Sequence, residues 1–90
     1  MGKDITFKNR DKLVQIGIAI STVRRLRNMS QEELADAADI SRSHLSMIES
    51  PGIAYNFSLD VLFNIADALG VDPADLISTS VFPDKIIKNG

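Results

Sequence analysis

Between residues 11 and 27 the apolar positions recur at helical spacing. Val14, Ile16, Ile20 and Val23 fall on or near one side of a 3.6-residue period, with Arg24 beside them and Ile18 and Leu26 widening the stripe. Asn28 follows, where helices often end in a left-handed residue, a conformation that Asn tolerates second only to Gly. Ser30-Gln31-Glu32-Glu33 then forms a capping box, with the Ser30 hydroxyl accepting from the Glu33 N–H and the Glu33 carboxylate reaching back. Two acids in that first turn also suit the helix dipole. A helix is therefore expected over 31–38, with Leu34, Ala35 and Ala38 inward. After Asp39-Ile40, Ser41 is placed to cap a third helix over 42–50, with Leu45 and Ile48 inward. Two short helices joined by three residues, with alanines at 35, 37 and 38 permitting close crossing, make a helix-turn-helix. Such pairs also occur in proteins that bind no DNA.

Pro51 and Gly52 end the third helix, and Ile53 to Phe57 form a connection without charge. Ser58 caps a fourth helix over 59–69, with Leu59, Leu62, Ile65, Ala66 and Leu69 inward and Phe57 placed to staple against Leu62. Gly70 stops it. Asp72-Pro73-Ala74-Asp75 starts a fifth helix over 73–78 that carries Leu76 and Ile77: a cap, a proline at the first helical position and an acid at the third. Residues 79–90 hold Val81, Phe82, Ile86 and Ile87 among polar residues and Pro83, a pattern compatible with a tail, a strand or a partner surface. Repeats and low-complexity segments are absent from the sequence.

Ninety residues with 44% apolar content and a net charge of −2 describe one globular domain, too apolar and too weakly charged for a disordered chain. A domain this small buries a modest share of its surface, so self-association would help it. The chain has no cysteine, which excludes disulfides, thiol chemistry and cysteine-ligated zinc. Leu13 to Val23, the longest uncharged run, includes Gln15, Gly17, Ser21 and Thr22 and is too short and polar to span a bilayer. With no export signal ahead of it, the expected compartment is the cytoplasm, with no membrane partner.

The net charge hides a gradient. Residues 1–30 hold seven basic and two acidic groups, residues 31–60 one basic and six acidic, and residues 61–90 two basic and four acidic. A basic face on an acidic protein is compatible with nucleic-acid binding, because phosphates respond to local charge. His44 is the sole histidine, too few ligands for a metal site. The serines near it at 41, 43 and 46 define no oriented triad, and no glycine-rich phosphate loop is present. The expectation is a non-enzyme without cofactor or metal.

Several segments together carry a resemblance: Ile16-Gly17, Arg24, Met29-Ser30-Gln31-Glu32-Glu33-Leu34-Ala35 and Ile40-Ser41-Arg42-Ser43-His44-Leu45-Ser46-Met47-Ile48-Glu49. With Phe57-Ser58-Leu59-Asp60 and Ile65 through Leu76, they resemble the Cro/cI-type (lambda-repressor-like, XRE) helix-turn-helix family over roughly residues 13–77. The resemblance implies an all-α, compact five-helix lambda-repressor-like DNA-binding domain over 13–78. Residues 1–12 would supply an N-terminal arm and the start of helix one, and 79–90 a C-terminal tail able to form an interface with a protein partner. The function it implies is a sequence-specific transcriptional regulator, a repressor, binding an inverted-repeat operator in double-stranded DNA as a homodimer with helix three in the major groove.

Carried over by position, the resemblance assigns Arg42, Ser43 and Met47, with Ser46 beside them, to base reading, and Gln31 to a phosphate. Arg24 and Glu49 become a clamp on the reading helix. Lys12, Arg25 and Arg27, on the open side of helix one, are further phosphate candidates, and Lys8 and Arg10 a short basic arm. Two features depart from the family pattern. Position 39, usually Gly, is Asp, and the connection Pro51 to Phe57 lacks the usual Lys or Arg. The competing expectation is a protein-interaction module, an antitoxin body or adaptor, suggested by the uncharged loop, the tail and apolar surplus at Ile18, Leu26, Val61 and Phe63. The dimer interface is expected on exposed apolar positions of helix four or after Ile77.

Overall fold

Side-chain caps start four of the five described helices. A computed structural model of the chain describes residues 9–78, which fold as α1 (Arg10–Leu26), α2 (Gln31–Ala37), α3 (Arg42–Glu49), α4 (Leu59–Leu69) and α5 (Pro73–Ser78). At α2 the capping box closes in both directions: Glu33 N donates to Ser30 Oγ at 3.0 Å, and Ser30 N donates to Glu33 Oε1 at 2.8 Å. Ser41 Oγ accepts from His44 N at 3.0 Å, and Ser58 Oγ accepts from Val61 N at 3.1 Å. Asp72 Oδ1 accepts from Ala74 N at 3.1 Å at the head of α5. Caps of this kind contribute about 1 kcal/mol each, which matters for helices of six to eight residues that would not form alone.

The stops are equally local. Asn28, Asp39 and Gly70 have φ of 58°, 59° and 73°, turning the chain out of α1, α2 and α4. α3 ends at Glu49, one residue earlier than the sequence suggests, with Ser50 extended at ψ 119°. Pro51 explains this, since a following proline disfavours the helical conformation.

One core joins the five helices. Ile20, Leu34, Leu45, Ile65 and Leu76, one from each, are fully buried, and Ile48, Leu62, Leu69 and four alanines complete the cluster. α2 packs on α3 and α4, while α1 lies against α3, α4 and α5. The expected inward set needs correction at its edges. Leu59 is 65% exposed; Ile18, Leu26 and Phe63, expected as apolar surplus, do face outward, whereas Val61, expected with them, packs against the core. Leu59 lies in the first turn of α4, at the margin of the stripe formed by Leu62, Ile65, Ala66 and Leu69, where neighbouring helices no longer cover it.

The α1–α3 crossing depends on Gly17, which is buried. A Cβ at this position would overlap the Ile48 carbonyl oxygen and crowd the carbon that bears it. Of the expected arm and start of helix one over 1–12, residues 1–8, with Lys8, lie outside the described residues, as does the tail over 79–90; Arg10, expected in the arm, instead opens α1.

Candidate nucleic-acid interface

α3 has two unlike faces. Leu45 and Ile48 are in the core, while Arg42, Ser43, Ser46 and Met47 line one open depression on the surface. The spacing 42, 43, 46, 47 places all four on one side of a single helix, two residues per turn over two turns. Arg42 offers a planar fork suited to guanine O6 and N7, the serines offer adaptable hydroxyls, and Met47 offers an apolar tip for a thymine methyl.

Both ends of this eight-residue helix are tied down. Ser41 caps the start, and His44, in the first turn, meets Tyr55 of the α3–α4 connection edge to face, with ring centroids 5.4 Å apart. The far end is held by Glu49, whose Oε2 accepts from Arg24 Nε at 2.8 Å and whose Oε1 accepts from Arg24 Nη2 at 3.0 Å. The side chains are 10% and 4% exposed, so this is a buried, bidentate pair. Arg24 Nη1 also donates to Met29 O at 2.8 Å, in the α1–α2 connection. The clamp joins α1, its following turn and α3.

Other expected site residues are distributed around this frame. Gln31, half-buried at the first position of α2, donates from Nε2 to Glu49 Oε1 at 3.0 Å, a bond that spacing alone does not reveal. Lys12 and Arg25 are exposed on α1. Arg27 Nε donates to Leu69 O at 2.9 Å, at the C-terminal end of α4 where a cation is favoured, a structural role absent from its sequence reading. In the connection after α3, Tyr55 and Phe57 pack toward the core while Ile53 and Asn56 are exposed. Among the described residues no buried side-chain nitrogen or oxygen lacks a hydrogen-bond partner, and no cluster of three or more His, Cys, Asp or Glu is placed to hold a metal. No described helix is long and apolar enough to cross a membrane.

Five helices around one core, with a short, doubly anchored α3 exposing a polar face, make a lambda-repressor-like helix-turn-helix fold. The chain belongs to the helix-turn-helix family, whose model matches residues 20–76. It is 46% identical over 59 residues to the control protein C.BamHI of Bacillus amyloliquefaciens, covering 61% of this chain and 70% of that protein. It is 37% identical over 62 residues to the immunity repressor protein of Bacillus phage phi105, covering 69% of this chain and 42% of that longer protein. Among solved structures, the restriction-modification controller protein C.AhdI of Aeromonas hydrophila superposes with a TM-score of 0.66 at 31% identity, over 71% of this chain and 94% of that one. The Cro/cI-type resemblance read from the sequence is thereby established, and with it a DNA-binding regulatory role rather than a catalytic one.

Proposed function

We propose that this chain is a sequence-specific transcriptional repressor that binds an inverted-repeat operator in double-stranded DNA as a homodimer, with α3 in the major groove. The observation that carries this reading is the face formed by Arg42, Ser43, Ser46 and Met47 on a helix fixed at both ends. Arg42 is the principal base reader. Ser43 and Ser46 accept several base partners, and Met47 favours thymine through its methyl. Gln31, Lys12 and Arg25 make phosphate contacts that set the register, with Arg27 a weaker candidate because of its bond to α4. The control and repressor proteins to which the chain is similar support the regulatory assignment.

A homodimer follows from energetics. One good bidentate base contact supplies about 1–3 kcal/mol of discrimination, too little to pick one operator from a genome. Two half-sites about 34–36 Å apart double that information. The exposed apolar side chains Leu59 and Phe63, one turn apart on α4, supply the contact surface. Affinity selection from a random duplex library tests the proposal. An enriched inverted repeat, with discrimination lost in Arg42→Ala, is expected. If no motif is enriched and Arg42→Ala changes nothing, the exposed apolar surface instead serves a protein-interaction module.

A further inference from the structure

We propose that Glu49, besides clamping α3, is a phosphate-positioning residue. Its Oε1 holds the Gln31 amide with Nε2 turned inward, and the second N–H of that nitrogen is the donor to a DNA phosphate. The inference rests on the DNA-binding reading above.

A glutamine amide has two nearly isosteric orientations, one presenting NH2 and the other presenting oxygen. On an open surface either can serve. An ionised carboxylate only accepts hydrogen bonds, so Glu49 admits one of them: with the amide reversed, an oxygen lone pair would face a carboxylate oxygen. The observed contact, Nε2 to Oε1 at 3.0 Å, is the compatible one. It consumes one of the two N–H bonds on Nε2 and leaves the other as a donor.

Glu49 can impose this orientation because it is itself immobile. Two bonds from Arg24 hold its carboxylate, the side chain is 4% exposed, and Arg24 is further tied to Met29 O. Gln31 opens α2 and Glu49 closes α3, so one carboxylate sets the relation between a phosphate donor and the end of the reading helix. Arg24 balances the carboxylate charge, and the neutral amide stands between two anions and donates to both. Fixing the amide in the free protein reduces the ordering that DNA binding would otherwise demand.

The test compares wild type, Gln31→Met, Glu49→Gln and the double variant, each titrated with the selected operator duplex and with a scrambled duplex. Gln31→Met should weaken both duplexes by the same factor, about 10- to 100-fold for one hydrogen bond to a charged acceptor. The salt slope should stay at the wild-type value, since an uncharged donor releases no counterion. In the Glu49→Gln background, Gln31→Met should have little further effect. An equal effect in both backgrounds overturns the positioning role while leaving the DNA reading intact. If wild type binds no duplex, both fall together. Should Glu49→Gln fail to fold, hydrogen exchange of the Gln31 side-chain amide in wild type decides the matter. Slowed exchange relative to exposed Asn56 and Asn64 is expected in the free protein, and equal exchange overturns the proposal.

Discussion

Arg24 and Glu49, 25 residues apart in the chain, meet as a buried two-bond pair that fixes the end of α3 to α1. Removing one partner strands a charge in a dry site. Glu49→Leu and Arg24→Met are each expected to destabilise the domain by about 3–5 kcal/mol, and the double variant to recover much of that loss. Chemical denaturation of the singles and the double measures the coupling. A coupling near zero would show that the pair does not clamp the helix.

Gly17→Ala should destabilise the fold, against the usual trend. In an uncrowded helix this change stabilises by about 0.5–1 kcal/mol. Here the added Cβ meets the Ile48 backbone, which has no rotamer to move aside. A loss of about 1–3 kcal/mol in urea denaturation is expected from such overpacking. A gain would mean that α1 and α3 can part freely.

Asp39 offers the opposite opportunity. Its φ of 59° is a conformation that disfavours most L-residues by roughly 1–2 kcal/mol and that Gly enters freely. Asp39→Gly should stabilise by about 0.5–1 kcal/mol after allowing for the larger entropy of Gly in the unfolded chain. Thermal denaturation checks it. A loss would show that the Asp39 side chain, not the backbone, governs this turn.

The proposed dimer can be split from the fold. Phe63 is 49% exposed, so Phe63→Glu should leave helix content unchanged. A charge in an apolar interface should raise the dimer dissociation constant at least about 100-fold, or about 2.8 kcal/mol. Sedimentation of both proteins reads this. A wild type that stays monomeric, free and on a duplex with two half-sites, would contradict the homodimer.

Arg25 and Arg42 should separate affinity from specificity. Arg25→Ala is expected to weaken operator and scrambled duplex by similar factors and to lower the salt slope by about one. Arg42→Ala should instead abolish the discrimination between the two duplexes. If Arg25→Ala leaves the slope unchanged, that exposed arginine touches no phosphate.

Much of the architecture was legible from local chemistry. Ser30, Ser41, Ser58 and Asp72 mark helix starts, and Asn28 and Gly70 mark stops, because caps and turns are bonds between residues a few positions apart. Helical periodicity likewise picked out Ile20, Leu34, Leu45, Ile48, Leu62, Ile65, Leu69 and Leu76, all buried. The Arg24–Glu49 pair came from resemblance to a family, not from spacing. Periodicity did not tell that Leu59 would stay exposed and Val61 pack inward, that Gly17 lets two helices touch, or that Gln31 and Arg27 would bond Glu49 and Leu69, 18 and 42 positions away. A helical repeat defines a face, whereas coverage and long-range partners depend on where other helices cross it, and that is set only when all five pack around one core.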